Sequence, residues 1–467
     1  MPNSFAYFML LVWPFVALLF FRRLSVNQAI IWTILGGYLA LPPLTSFDLP
    51  ILPSLDKVTI PNICAYLGFL ATKTQPWFWP KSIVARLTLA LFVLTPIGTV
   101  LTNADFIPFG IGGLPSMALQ EAPSLVLSNL VTMLPVLVGY QVFRDDKAIR
   151  DVLSALVLAG LIYSIPMLVE IRFSPQLNIL IYGFFQHEFN QMIRYGGYRP
   201  IVFLPHGLWV AFLAFMAALS AFTLLALGSQ NRTRNFLIFI YLLAMLIACK
   251  SAGVLIYIIV FPPLVLMLSG KMQVRLAAMI GAITLFYPVL RGGGFIPTQA
   301  IADFTASIDA DRAGSFIYRL MNEDLLLEHA SARPLFGWGG WARNLVHDSI
   351  TGRALTVVDG EWVNSIGMYG WAGYVGEFGL LGLPLFMLAL RSRYKNVIIS
   401  KYAGALVLIF TANLIDLIPN ATLIPFTWLL AGTLLGYTER LRLSPVEQNS
   451  SKPLKATAPW ARLQLET

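Results

Sequence analysis

The sequence predicts an all-α integral membrane protein of about 12–13 transmembrane helices with one large loop outside the membrane. Three observations predict it: an apolar composition poor in charge, long uncharged runs that recur along the chain, and basic residues that gather on alternate connections. Of 467 residues, 57% are hydrophobic and 12% charged, against roughly 45–50% and about 25% in a soluble globular chain. That leaves too little polar surface to cover a water-soluble fold of this size. In a bilayer the requirement inverts, because lipid-facing side chains must be apolar and backbone polar groups must be satisfied within helices or a closed barrel. Runs such as 201 to 228 and 399 to 416 approach or exceed the roughly 17–25 residues that span a hydrocarbon core. Barrel strands would instead show about ten residues of strict alternation.

The apolar segments fall near residues 4 to 21, 28 to 44, 58 to 71, 82 to 101, 124 to 143, 149 to 169, 201 to 228, 236 to 249, 252 to 268, 274 to 290, 363 to 390, 399 to 416 and 419 to 437. The first is followed by Arg22-Arg23, which puts its charges on the wrong side for a cleavable signal peptide, so it reads as a retained helix. The third is short and contains Pro61 and Asn62, which leaves the count at twelve or thirteen. The chain divides into four regions: helices with a smaller outer loop at 170–200 over residues 1–290, the large loop at 291–362, the last three helices at 363–437, and a polar tail at 438–467 that reads as disordered.

The net charge of +9 could suggest nucleic acid, but basic residues in a membrane protein collect in cytoplasmic loops and fix orientation. Arg22, Arg23, Lys73, Lys81, Arg144, Lys147, Arg150, Arg232, Arg234, Lys271, Arg275, Arg391, Arg393 and Lys395 share one face if the segments alternate. That face reads as cytoplasmic, together with the C-terminus. The two cysteines, Cys64 and Cys249, lie in apolar segments and offer no disulfide framework or metal-ligand spacing.

The opposite face carries the long loops, and within 291–362 the stretch Ser315 to Ala330 has Phe316, Leu320 and Leu327 at helical spacing. Arg194, Arg199, Arg291, Arg312, Arg319, Arg333, Arg343 and Arg353 all lie on this face, where topology expects few. One at a time, they read as solvated surface charge. As a set they suggest an anion site, because the planar guanidinium grips phosphate oxygens bidentately. The anion would be a lipid headgroup or a pyrophosphate. Lys250, between two apolar stretches, is either part of that site or a lysine snorkelling at a tight turn. Arg291 is followed by three glycines that allow close backbone approach or merely a flexible exit.

Acid–base candidates are few. His206 follows Pro205 at the outer end of a helix, and Asp359-Gly360-Glu361-Trp362 places two carboxylates just before the chain re-enters the membrane, where they could equally cap the helix. No histidine pair has metal-ligand spacing, so no metal or cofactor is expected. Trp338, Trp341 and Trp362 could stack on a sugar or belong to an interfacial belt.

Tyr195-Gly196-Gly197-Tyr198-Arg199-Pro200 before His206-Gly207, Lys250-Ser251-Ala252-Gly253 between two helices, Arg319, Ala332-Arg333-Pro334-Leu335-Phe336-Gly337-Trp338-Gly339, and Glu377-Phe378-Gly379-Leu380-Leu381-Gly382 occur in that order. Over roughly residues 190 to 390 the chain resembles the O-antigen polymerase and O-antigen ligase superfamily. The resemblance implies a bacterial inner-membrane glycosyltransferase of the multi-helix C type. It would transfer a glycan from undecaprenyl pyrophosphate to an acceptor hydroxyl on the periplasmic side. It further implies that Arg199, Lys250, Arg291 and Arg319 hold the pyrophosphate, and Arg194, from the same outer set of arginines, is a further candidate for that site. Where many members show His-Asn, this chain reads Asp359-Gly360-Glu361-Trp362, so the base would be Asp359 or Glu361, with His206 a weaker candidate. The expected partners are the lipid-linked glycan, membrane lipids and other polysaccharide-assembly proteins, with no role for nucleic acid. A ligase acting on lipid A core or protein, and a transporter or flippase of a lipid-linked sugar, are the competing readings.

Overall fold

The computed structural model describes residues 1–50, 52–72, 79–110, 112–228, 231–308 and 310–441. Lys73 and the tail from residue 442 lie outside the described residues, as does the side chain of Arg312. Helices α1 (Ser4–Arg23), α2 (Val26–Ile31), α3 (Gly37–Ala40), α4 (Thr59–Thr72), α5 (Ile83–Leu101), α6 (Ala122–Val142), α7 (Asp146–Phe173) and α8 (Leu177–Tyr182) precede a short hairpin of Ile193–Arg194 with Gly197–Tyr198. Then come α9 (Gly207–Leu227), α10 (Arg232–Ala248), α11 (Ala252–Met267), α12 (Gly270–Gly292), α13 (Thr298–Ile308), α14 (Ala310–Ser331), α15 (Glu361–Arg391), α16 (Lys401–Asp416) and α17 (Pro425–Arg440). Among the described residues the sheets are three two-stranded antiparallel hairpins.

The protein is an all-α, membrane-embedded protein: among the described residues seven helices are 18 residues or longer and apolar enough to cross a bilayer. They are α1, α5, α6 with the turn before it, α7, α9, α12 and α15. Several start on side-chain caps that satisfy the first free N–H groups, with Asn3, Ser82, Asp145, Ser269 and Ser400 in that position for α1, α5, α7, α12 and α16. At the centre, α9 is packed by α7, α10, α11 and α16, and most of its side chains are buried.

Two expectations are corrected. The apolar run from 201 does not enter a helix until Gly207, because the backbone of Ile201 to Leu204 is bonded to side chains instead. The segment expected as one helix at 363–390 breaks at Gly370, whose φ of 65° and ψ of −166° are closed to residues with a side chain. The groups freed by the break are not left bare. Gly367 and Met368 carbonyls accept from the N–H groups of Trp338 (2.8 Å) and Gly339 (2.9 Å), while Trp371 and Ala372 N–H groups donate to the carbonyls of Pro334 (2.8 Å) and Leu335 (3.1 Å). The stretch from Pro334 to Gly339 thus replaces the missing helical bonds, as broken membrane helices require.

Candidate anion-binding site

Arg199 is 3% exposed, and neither its Nε nor its Nη2 has a hydrogen-bond partner among the described residues. An isolated buried cation is costly, since burial disfavours charge unless something of opposite sign replaces water. Burial pushes the Arg199 guanidinium down to about 10, with Cys249 opposing and Arg194 adding to the shift, so it stays protonated at neutral pH. It borders a cavity of about 250 Å³ whose lining also includes Arg194, Lys250, Arg319, Tyr257 and Asp416. Four of the five cations expected at a pyrophosphate site therefore face one cavity, although they come from the 193–198 hairpin, the irregular segment just after it, the α10–α11 turn and α14.

The local chain explains the convergence. Lys250 adopts a left-handed conformation, φ 52°, in the tight turn between α10 and α11, and its Nζ donates to the carbonyl of Arg194 at 2.8 Å. A methyl group on Gly207 would sit 2.7 Å from Arg199 Nε, so the missing side chain leaves the guanidinium its path. The segment behind Arg199 is gripped on every side. Glu170, fully buried, accepts from Ile201 N and Val202 N, both at 2.7 Å, and from Leu177 N at 3.1 Å. Gln186 donates to the carbonyls of Val202 and Leu204, and Tyr163 accepts from Phe203 N. Lys57 donates to the carbonyl of Phe203 at 2.7 Å with its ammonium over the Tyr38 ring, and burial pushes it down to about 7.

The expected catalytic groups have unlike surroundings. Asp359 stands beside Arg319, 3.8 Å from its Nε, and partial burial raises its carboxyl above the usual range while Arg319 opposes the shift. Glu361 instead accepts from Asn364 in the first turn of α15. His206 is a helix cap: its Nδ1 accepts from Leu208 N at 3.0 Å, and its Nε2 faces Gln191 Oε1 at 3.3 Å. With Nδ1 engaged, the neutral ring carries its proton on Nε2, and burial beside Arg199, His187 and Arg194 pushes it down to about 3. A base role for His206 does not fit that arrangement. Sequence reasoning missed Asp416, a buried carboxylate on the cavity wall whose oxygens accept from Asn420 and Thr422. The acidic residue at the end of the segment 399 to 416 was the only signal for it.

No protein-family model matches the chain, and no curated protein matches it.

Other expectations fail on geometry. Arg291 pairs with Asp324 at 2.6 Å and Glu323 at 3.6 Å, tying α12 to α14 rather than joining the cavity. Arg333 and Arg343 both bind Asp105, and Arg343, completely buried, also donates to the carbonyls of Trp338, Asp105 and Pro115. Arg353 is exposed and does not line the cavity. Trp362 is fully buried against Tyr287, so no sugar can reach its face. Trp338 is occupied by the stacked ring of His329 and by the Arg333 guanidinium, 4.3 and 4.2 Å away. Trp341 remains exposed, with its indole N–H donating to Glu121, but it does not border the cavity.

Proposed function

We propose that the protein is a polymerase of lipid-linked oligosaccharide repeats, a member of the O-antigen polymerase and ligase superfamily acting at the periplasmic face of a bacterial inner membrane. The observation that carries this reading is the buried, unpartnered Arg199 guanidinium in a cavity shared with Arg194, Lys250 and Arg319. Such a cavity suits a diphosphate, whose several oxygens can take up the free donors. At about 250 Å³ it is smaller than the roughly 300–1,000 Å³ of pockets that enclose whole ligands. It therefore fits the phosphates while the glycan and the polyprenyl chain extend outside it. The remaining helices complete a bundle of twelve or thirteen crossings, with the 291–362 loop periplasmic and the C-terminus cytoplasmic.

In the reaction, the hydroxyl oxygen of the acceptor sugar bonds to the anomeric carbon of the donor as the bond from that carbon to the phosphate oxygen breaks. The electron pair leaves with polyprenyl pyrophosphate, and the four cations stabilise the charge it gains. The hydroxyl proton passes to a carboxylate. Asp359, which does not line the cavity itself but stands 3.8 Å from Arg319 at its edge, takes this role, with Asp416 in the lining the alternative that Asp→Asn exchange at each position distinguishes. A positioned base contributes roughly 10²–10⁴-fold. Undecaprenyl-pyrophosphate-linked repeats supplied to the purified protein in detergent test the reading: longer glycans on the lipid are expected. Unchanged glycans, with the same substrate crossing the bilayer of protein-containing vesicles, would establish a carrier instead.

A further inference from the structure

A second charged recess lies far from the first. Helix α12 carries Arg275 near its start and Arg291 near its end, 16 residues apart, which places them about 24 Å from each other at 1.5 Å per residue. At the Arg275 end, the start of α12 and the end of α15 border an open cavity of about 680 Å³. Its lining joins Arg275 and Arg393 to an apolar wall of Ala278, Met279, Phe386 and Leu390. The walls belong to two helices long enough to cross the membrane, and Met279 and Leu390 are 57% and 55% exposed.

The basic end is held in place. Arg275 donates to Ser392 through Nε to Oγ (3.1 Å) and Nη2 to the carbonyl (2.9 Å). Lys271 Nζ donates to the carbonyls of Tyr394 and Lys395, so the turn carrying Arg393 is bound to α12. The Arg393 side chain is exposed and makes no hydrogen bond or ion pair among the described residues. No carboxylate lies within 4.0 Å of Arg275 or Arg393 among those residues, so no described residue neutralises their charge.

We propose that this groove binds an anionic phospholipid, with its phosphate on Arg275 and Arg393 and one acyl chain along Met279, Phe386 and Leu390. A free phosphate would use only the cationic end and a neutral lipid only the apolar wall. An anionic lipid uses both, and each arginine near a membrane surface is worth about 1 kcal/mol, or roughly fivefold in affinity. Binding there fastens the start of α12 to the end of α15 on the face opposite the diphosphate cavity.

The full-length protein in neutral detergent is titrated with short-chain phosphatidylglycerol, with phosphatidylcholine of the same chain length, and with inorganic phosphate, while the unfolding temperature is recorded. Phosphatidylglycerol is expected to raise it at concentrations at which the other two do not. Arg393→Ala, at an exposed position without partners, is expected to unfold at the wild-type temperature without lipid and to bind phosphatidylglycerol about fivefold more weakly. Met279→Trp, which fills the groove without touching the charges, is expected to weaken it as well, whereas Arg199→Met leaves it unchanged. Equal stabilisation by the two lipids, equal stabilisation by phosphate alone, or unaltered phosphatidylglycerol affinity in Arg393→Ala and Met279→Trp would overturn the proposal. Failure of glycan elongation would leave this site untouched, since neither arginine lines the first cavity.

Discussion

The ammonium of Lys250 donates to the carbonyl of Arg194 at 2.8 Å, directly beside the bare α-carbon of Gly197. A methyl group there would lie 2.5 Å from Lys250 Nζ and 3.7 Å from its Cε, so it meets only the end of a flexible side chain. Gly197 has no left-handed φ, and alanine fits its backbone. Gly197→Ala should therefore displace the ammonium without unfolding the protein. The expected result is a several-fold loss of pyrophosphate affinity with stability changed by no more than about 0.5 kcal/mol, read by titration and thermal unfolding on the same sample.

Arg199 presents the opposite balance. Buried with no counter-ion among the described residues, it weakens the empty protein; even a paired buried charge is often replaced by well-packed apolar residues at no cost or with a gain of about 1–4 kcal/mol, and a lone one has less to lose. Arg199→Met is expected to melt at or above the wild-type temperature in the absence of ligand. A large drop would mean that the guanidinium has a structural partner in the folded protein.

The grip on residues 201–204 sets where Arg199 sits. Glu170 accepts three backbone N–H groups, and an amide in its place would turn its own N–H₂ toward at least one of them. Glu170→Gln is expected to cost about 1–3 kcal/mol, the penalty of buried donors left unmet. It should also weaken pyrophosphate binding, while Glu170→Asp, which keeps the acceptors, recovers part of it.

On α14, burial pushes Glu323 from 4.5 up to about 7, although Arg291 lies beside it. Asp324, at 2.6 Å, already balances Arg291. Between pH 4.5 and 7 the folded protein holds a proton on Glu323 that the unfolded chain has lost, so this group's contribution to stability falls as pH rises through that window. Melting temperatures of Glu323→Gln from pH 4.5 to 8 are expected to decline less than those of the wild type. A parallel decline in both would remove Glu323 from this role.

Much of the architecture was legible because membrane helices are written in uninterrupted apolar runs, and each run from 4–21 to 419–437 meets a helix. Hydropathy could not register where such a run stops being helical. The 201–206 stretch is as apolar as the first turns of α9, and its extended form depends on Glu170, Gln186 and Lys57, which are distant in sequence. Likewise Gly370 looks like any glycine in a membrane segment until Pro334–Gly339 is seen to complete its broken bonds. Among the cations, arginine enrichment pointed to Arg194, Arg199 and Arg319 but could not exclude Arg291, whose partners lie 32 and 33 residues later on another helix. The tryptophans misled for the same reason: an indole's value to a sugar depends on a free face, and His329, Arg333 and Tyr287 cover those of Trp338 and Trp362.

The most direct measurement is a titration of the purified protein with a short-chain polyprenyl diphosphate, compared with the matching monophosphate, in wild type and Arg199→Met. Saturable binding that prefers the diphosphate and disappears in the variant is the expected result. Equal binding of both ligands, or undiminished diphosphate binding once Arg199 has gone, would contradict the assignment of this cavity.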